Sequence, residues 1–422
     1  MKFKKTTLKN GLRVITVPMK GNPAVTVMAM VETGSKYETK DINGLSHFLE
    51  HMMFKGTPKR PTAMSISREL DGLGASYNAF TSTEYTGYYA KVENRHLNKA
   101  LDIISDIYLN PLFEQQEIDK ERGVIIEEIK MYNGLPQQQV SEELDALLYG
   151  DVPAGWPVIG PEENIRKFKR QDFLQYRKDH YVAESTIVVV AGDIKEKEVI
   201  KAVEKLFKNI PVTKNKEKHP VKESQDKPQI RIKYKDTSQT HIVLGFRSFD
   251  VNDKRGPIMT VLNTILGQGM SSRLFTKMRD ELGICYYVNS SQNSFTDHGY
   301  LSIRAGVDNT RVKIAIENIM LEINKLKNEI ISKDELKKAK DFISGGTALG
   351  LETSDSRADY VAFQELLKKE IKTPEQKLKE INKVTAKQIK DLANEIFVIE
   401  KLNLAMIGPF KDEKEFLSLL KF

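Results

Sequence analysis

The order of residue patterns in the first half of this 422-residue chain recurs in the second half. Residues 68–77 lead into a pair of strand-like segments and then into an amphipathic helix around residues 98–104. Residues 279–286 lead into similar strand-like segments and then into a helix around residues 313–319. In both halves strands come first and long helices follow, which is typical of an α+β fold.

A polar stretch without aromatic residues, residues 214–227, separates the two halves. Such a composition is typical of a solvated linker. We therefore predict two structurally similar domains, residues 1–213 and residues 228–422, because one core rarely serves a chain of this length. Each domain is expected to contain a mainly antiparallel sheet packed with helices.

The first half contains an H-x-x-E-H motif formed by His47, Glu50 and His51. On a helix, two histidines four positions apart point the same way, and the glutamate between them lies about 60° from the first histidine. Two imidazoles and a carboxylate then converge on one place, as a catalytic Zn²⁺ with an adjacent general base requires. The pattern is the reverse of the H-E-x-x-H motif of many zinc peptidases.

Apolar residues surround the motif, which predicts a buried helix rather than a surface helix. They are Leu45, Phe48, Leu49, Met52, Met53 and Phe54. Charged and imidazole groups are costly in such a helix unless they have partners. Two alternatives to a metal site stay open for so short a motif: a solvated face, or core histidines bonded to backbone carbonyls.

A site with two histidines needs a third protein ligand, usually a carboxylate. Residues 117–130 have helical periodicity, with an apolar face. Glu121 and Glu128 lie near the edge of that face, whereas Glu127 points away from it. We predict Glu128 as the third ligand. Glu121 would support catalysis, either as an outer carboxylate or as a substrate contact, although both glutamates also fit an ordinary helix surface.

The second half has no such motif. When Glu117 is lined up with Glu335, Gly346 falls opposite Glu128 and Ala339 opposite Glu121. Only the first half can therefore hold zinc in this way, and we predict one ion per chain.

Together these segments resemble the pitrilysin/insulysin-type metallopeptidases, the inverzincins, and within them the shorter branch that includes the mitochondrial processing peptidases. The resemblance is carried by residues 10–14, residues 44–57, residues 74–79 with Thr81, Glu84 and Thr86, and residues 121–128. It implies that His47, His51 and Glu128 bind zinc, that Glu50 is the base, and that the activity is hydrolysis of peptides. A non-catalytic or partner-dependent subunit is the alternative, but such relatives typically lack one or more of these ligands.

The resemblance also implies how substrate is held. Tyr77, Asn78 and Ala79 would form an edge strand onto which an extended peptide adds. Arg279 and Tyr286 match a pair that contacts substrate near the scissile bond. Without the resemblance, Arg279 would be interpreted as a surface residue at a helix end and Tyr286 as a core residue of a strand. Because this chain keeps both the zinc motif and the pair, we expect a homodimer that encloses a clamshell-like chamber, with each site completed by the partner subunit.

Composition excludes several other classes. The net charge of +7 is modest for 422 residues and is spread over mixed Lys/Glu surfaces, so we predict no nucleic-acid partner. No apolar run approaches the length needed to cross a bilayer, and the first residues lack the apolar core of a secretory signal, which favours a cytoplasmic protein without a membrane partner. The single cysteine, Cys285, rules out an internal disulfide framework and is predicted to be a buried thiol.

Overall fold

The computed structural model describes residues 1–421, and the chain divides into two compact units. The N-terminal unit consists of Met1–Met131, Trp156–His219 and Leu349–Thr373. The C-terminal unit consists of Tyr132–Gly155, Pro220–Ala348 and the residues from Pro374 onward. Each unit has its own sheet and its own core.

The strands in chain order are β1 Lys4–Thr7, β2 Arg13–Pro18, β3 Ala24–Val31, β4 Ser76–Thr81, β5 Thr86–Glu93, β6 Thr186–Gly192, β7 Gln229–Tyr234, β8 Gln239–Ser248, β9 Cys285–Ser294, β10 Gly299–Asp308 and β11 Leu402–Gly408. The helices are α1 Leu45–Met52, α2 Ala63–Gly72, α3 Leu97–Leu109, α4 Gln115–Asn133, α5 Pro136–Tyr149, α6 Glu162–Lys167, α7 Arg170–His180, α8 Glu196–Leu206, α9 Gly256–Gly267, α10 Val312–Asn328, α11 Lys333–Leu349, α12 Ser354–Lys368, α13 Pro374–Asn382, α14 Ala386–Ile396 and α15 Lys414–Leu417.

The sheet of the N-terminal unit has the strand order β1-β2-β6-β3-β5-β4. Strands β2 and β6 pair in parallel, and the other neighbours are antiparallel. Strand β4 is at one edge and pairs only with β5. Its second edge therefore presents backbone groups that no other strand of this sheet uses.

The sheet of the C-terminal unit has the order β7-β11-β8-β10-β9, with β7 and β11 parallel and the other neighbours antiparallel. This is the order of the first sheet without its β1, so the internal repeat is structural. The predicted α+β fold with two similar, mainly antiparallel domains is confirmed. Cys285 is buried and not bonded to another cysteine, as predicted.

Two helices lie in a different unit from the one that the sequence boundaries predict. Helix α12 follows the second sheet in the chain, but it packs on β2, β3 and β6 of the first sheet, where Ala358 and Val361 join a core with Met28 and Met30. Helix α5 precedes the linker but packs on β7, β8 and β11 of the second sheet. The predicted boundaries at residues 213 and 228 assumed that each domain is continuous in sequence.

The physical reason is that both faces of each sheet are apolar. The other helices cover one face, as α3 does on β3 and β5. The second face needs a further apolar helix, which the other half of the sequence supplies. An ion pair also joins α12 to the first sheet, since the buried carboxylate of Glu365 accepts from Lys5 at 3.0 Å.

Most residues of the linker are exposed, as its composition predicts. It has no regular secondary structure, but Lys218 donates to the buried Glu84 of the N-terminal unit at 2.7 Å. Glu223 pairs with Arg247 of the C-terminal unit at 3.0 Å. The division between the two units falls between His219 and Pro220, within the predicted linker.

The helices were compared with the length and hydropathy of a membrane span. Within residues 1–421, none is both long enough and apolar enough to pass through a bilayer.

Candidate metal centre

Helix α1 carries the H-x-x-E-H motif, and a buried glutamate holds its start. The N-cap residue, Gly44, has φ of 100° and no side chain that could accept from the first free N–H groups. Glu38 takes that role: it accepts from the Gly44 N–H at 2.9 Å and from the Ser46 N–H and hydroxyl at 2.6 Å each. Burial raises the pKa of Glu38 to about 7, although these hydrogen bonds lower it. The helix therefore begins at a fixed position.

The apolar side chains of α1 anchor it, because Phe48, Leu49 and Met52 are fully buried. This leaves one polar face, on which His47 and His51 lie with ring centroids 4.7 Å apart. The predicted burial of this helix is thus observed.

The structure brings His47 and His51 of α1 together with Glu128 of α4. Glu128 Oε2 is 3.8 Å from His47 Nε2 and 3.6 Å from His51 Nε2. Those distances are too long for hydrogen bonds. They are close to the roughly 3.3–3.5 Å between neighbouring ligand atoms of a tetrahedral zinc ion with bonds of about 2.0–2.2 Å. Within residues 1–421 this is the one group of three metal-binding side chains with ligand atoms within 4.8 Å of one another.

The protonation of the two histidines suits a metal site. Burial, and to a smaller degree the charge of His51, lowers the pKa of His47 to about 3, so its imidazole is neutral at pH 7. Burial also acts to lower the pKa of His51, but its hydrogen bond to Glu121 and the nearby carboxylates raise it above the usual value. A metal ion at this place would compete with the proton for His51 Nε2.

Glu121 lies behind His51 rather than at the convergence of the ligands. Its Oε1 is 2.8 Å from His51 Nδ1, and its Oε2 is 2.5 Å from Lys55 Nζ. A carboxylate on Nδ1 fixes the proton there and leaves Nε2 free to bind metal. Of the two predicted roles, the geometry favours the outer carboxylate over the substrate contact.

We expect Glu121→Ala to weaken zinc affinity by about 10- to 100-fold, as loss of such a partner typically does. Glu121→Gln should recover part of that loss, because its amide oxygen can still accept from Nδ1. Competition with a chromogenic chelator measures both. Glu117→Ala is the matched control, since Glu117 lies on the same helix and pairs only with Lys120 on the surface. Equal affinity in Glu121→Ala and Glu117→Ala would contradict this role.

Glu50 lies on the same helix and is held by strand β4. The hydroxyl of Thr81 donates to Glu50 Oε2 at 2.6 Å. Burial raises the pKa of Glu50, and the charge of Glu128 raises it further, whereas the bond from Thr81 lowers it. A carboxylate with a raised pKa beside a metal site suits a group that must accept a proton and release it again.

Strand β4 presents the three predicted substrate-binding residues at the sheet edge. Tyr77 and Ala79 are on the same face of the strand as Thr81, because strand side chains alternate. Asn78 is on the other face and exposed, and its side chain accepts from the Ala79 N–H at 2.9 Å. The edge position that was predicted for this strand is observed.

Arg279 and Tyr286 belong to the C-terminal unit and lie close to each other. Arg279 is in a π-helical segment, Phe275–Glu281, and donates to the Cys285 carbonyl at 2.7 Å. Tyr286 follows on edge strand β9 and is 65% exposed. The tyrosine is therefore a surface residue rather than the core residue that its apolar surroundings suggest.

Sequence reasoning missed Glu38 and Lys55, and it did not predict the bond from Thr81 to Glu50. A signal existed for Glu38, because a helix that begins at a glycine lacks a side-chain cap and needs an acceptor from elsewhere. No local pattern indicates which distant carboxylate supplies it.

Comparison with protein families gives two matches along the chain. Residues 13–162 match the family described as Insulinase (Peptidase family M16). Residues 167–342 match the Peptidase M16 inactive domain. The second match includes most of the half that has no H-x-x-E-H motif.

Full-length relatives are similar over nearly the whole chain. One is named uncharacterized zinc protease YmxG, from Bacillus subtilis, and is 37% identical over 96% of this chain and 98% of its own length. Another, uncharacterized zinc protease SCO5738 from Streptomyces coelicolor, is 31% identical over 97% of this chain and 90% of its own.

Among solved structures, a protease from Helicobacter pylori has the same fold, with a TM-score of 0.91 and 24% identity over 97% of this chain and 99% of that one. A chain of Complex III2 from Candida albicans also has this fold, with a TM-score of 0.85 and 18% identity over 99% of this chain and 100% of that one.

Proposed function

Because this chain belongs to the insulinase-type peptidases of family M16, we propose that it is a zinc-dependent endopeptidase that hydrolyses extended peptides. The observation that carries the proposal is the convergence of His47, His51 and Glu128 beside the hydrogen-bonded carboxylate of Glu50. The zinc proteases among its relatives support the same choice of metal.

One zinc ion would be held by His47, His51 and Glu128. Two imidazoles and one carboxylate are the ligand set of several catalytic zinc sites, which keep a further position for water or substrate. When bound, zinc supplies Lewis-acid chemistry, since it lowers the pKa of water and polarises a carbonyl. Glu121 keeps His51 in the required tautomer through Nδ1.

Glu50 moves the proton. Its Oε2 is fixed by Thr81, which leaves Oε1 as the oxygen that takes a proton from the attacking water. Burial of the carboxyl raises its pKa, so the proton is held long enough to pass to the leaving amine. In the overall reaction the water oxygen bonds to the carbonyl carbon, the C–N bond breaks, and the leaving amine receives the proton.

Substrate would add to the free edge of β4. An extended peptide makes main-chain hydrogen bonds along such an edge, and its side chains alternate between the two faces. The face with Tyr77, Ala79 and Thr81 is also the face that holds Glu50. A peptide bound along this edge would have a backbone carbonyl near Glu50. Binding of this kind does not require one particular side chain in the substrate.

Arg279 and Tyr286 would serve the site of a partner subunit in a homodimer that encloses the substrate. A guanidinium can hold a carbonyl or carboxylate through several fixed donors, and a tyrosine hydroxyl can donate to the developing oxyanion. The exposure of Tyr286 supports a contact outside its own unit.

Cleavage by the purified chain alone tests the function. We expect it to hydrolyse a quenched fluorescent peptide without structure, to lose that activity with a chelator, and to regain it with zinc. A chain that binds zinc but cleaves nothing without an added paralogue would contradict the proposal and would indicate the partner-dependent subunit.

The same assay tests the shared site. Glu50→Gln and Arg279→Ala should each be inactive as homodimers, but a mixture after subunit exchange should regain activity. In a mixed dimer one zinc site keeps Glu50 and meets the intact Arg279 of the other chain. No recovery after verified exchange would show that the residues do not act across subunits.

A further inference from the structure

The C-terminal unit contains an open surface cavity of about 450 Å³ between α9, α11 and β9. Its volume is within the range of small-ligand sites. Phe342 and Ile343 form an apolar part of its wall. The rest of the lining includes hydroxyl and carboxamide side chains, namely Thr260, Asn263, Gln268, Ser291, Gln292 and Thr347. Among residues 1–421, no charged side chain lines it. The cavity therefore offers hydrogen bonds without a net charge.

This cavity corresponds in position to the metal centre of the N-terminal unit. Helix α9, strand β9 and helix α11 follow the same order as α1, β4 and α4, and both strands are sheet edges. In the alignment of Glu335 with Glu117, Gly346 replaces Glu128, and Gly346 lines the cavity. Ala339 replaces Glu121 and is buried. Where one unit holds the candidate metal ligands, the other holds an open space with uncharged walls, which lacks the anionic and imidazole ligands that zinc prefers.

The cavity contains an unused acceptor. Asn263 Oδ1 is buried and has no hydrogen-bond partner among the described residues. Such an atom is costly to leave without a partner, and a bound group that donates a hydrogen bond would remove that cost.

Hydroxyls around the cavity are also oriented as acceptors. Thr260 donates its proton to the Gly256 carbonyl at 3.0 Å, and Thr347 donates to the Ile343 carbonyl at 2.7 Å. Their oxygens retain lone pairs that can accept. A ligand group that suits this cavity should thus donate hydrogen bonds and be neutral, because no charged side chain in the lining would pair with a charged group.

Two glycines inside α11 leave the space open. Gly345 and Gly346 lie in the helix interior, where glycine is disfavoured relative to alanine. A Cβ on either would meet no atom within 4 Å, so packing within the unit does not require glycine there. Only Gly346 lines the cavity. A Cβ at that position would not clash with any atom, and a longer side chain there would occupy part of the cavity.

We propose that this cavity binds the carboxamide side chain of a glutamine or asparagine in a peptide substrate. A carboxamide supplies two N–H donors and one acceptor, it is neutral, and it is small enough for the space. The peptide as ligand rests on the proposed peptidase function. The cavity would act as an anchor on the C-terminal unit, separate from the residues that carry the reaction.

Binding is measured with zinc-loaded Glu50→Gln protein, which cannot turn substrate over. A labelled host peptide carries Gln at successive positions, and the comparison peptides carry the near-isosteric Met, or Lys or Glu, at the same positions. We expect about tenfold tighter binding for Gln than for Met at one position, as one good hydrogen-bonded group provides. Addition of Gly346→Leu should abolish that difference, whereas Gly345→Leu, one residue earlier on the same helix, should keep it.

The absence of any Gln preference, or equal behaviour of the Gly345→Leu and Gly346→Leu proteins, would overturn the proposal. Thermal unfolding checks that both variants are folded, and both should be at least as stable as the parent because a helix-interior glycine is replaced. The two hypotheses remain distinguishable. If the Gln peptide binds selectively but the wild-type chain cleaves nothing, the peptidase function is wrong and the carboxamide site is supported. If the wild-type chain cleaves peptides but shows no preference for Gln, the carboxamide site is wrong and the peptidase function is supported.

Discussion

Glu50→Gln is expected to lower kcat for peptide cleavage by about 10²- to 10⁴-fold, the usual contribution of general acid–base catalysis. The amide cannot take a proton from water, but its oxygen can still accept from Thr81, so the local geometry should be kept. Glu50 is not among the three converging ligands, and the variant should therefore retain its zinc. Steady-state kinetics together with metal analysis measure both quantities on one preparation.

Thr81→Val provides the matched control for this result. It removes the hydrogen bond to Glu50 and keeps the size and branching of the side chain. We expect a smaller loss, on the order of tenfold, since the base remains but is less well positioned. Near-wild-type activity of Glu50→Gln at full zinc occupancy would show that another group accepts the proton.

Glu128→Gln is expected to lose zinc, and activity in the same proportion. The carboxylate supplies the only formal negative charge among the three converging ligand residues. The loss of affinity should exceed the roughly 10- to 100-fold that follows removal of a partner behind a ligand. Mass spectrometry of the dialysed protein and the zinc-dependent rise in melting temperature, which follows from linkage, measure it.

Glu127→Gln tests whether this effect belongs to the position. Glu127 is the preceding residue of α4, but its side chain is 72% exposed and pairs with Lys130. It should keep wild-type zinc content and activity. Similar zinc loss in the two variants would mean that charge on this helix, rather than ligation, controls metal binding.

The spacing of the motif residues carries much of the information about the site. Positions 47 and 51 share a helix face because of the helical repeat, and the periodicity around residues 118–129 indicated which glutamates face the interior. The structure accordingly places Glu128 near both histidines and leaves Glu127 exposed. These are consequences of local geometry, which a sequence displays directly.

Contacts between distant segments could not be predicted in this way. Helix α12 and helix α5 carry apolar faces that fit either sheet, and only the packed structure shows which sheet each one covers. The role of Glu38 could not be predicted either. It accepts hydrogen bonds at the start of α1 only because the intervening loop brings it back to that end of the helix. The cavity beside Gly346 results from tertiary packing and has no sequence pattern of its own. The sequence indicated only that metal ligands were missing there.

Stoichiometric zinc titration of the metal-free chain, followed by peptide cleavage, shows whether the chain is a zinc-dependent peptidase. We expect activity to rise in proportion to added zinc and to stop rising at one equivalent per chain. Glu50→Gln should bind the same single equivalent and remain inactive. Cleavage by the metal-free chain, or a chain that takes up one zinc and still hydrolyses no peptide, would show that the proposed zinc-dependent mechanism is wrong.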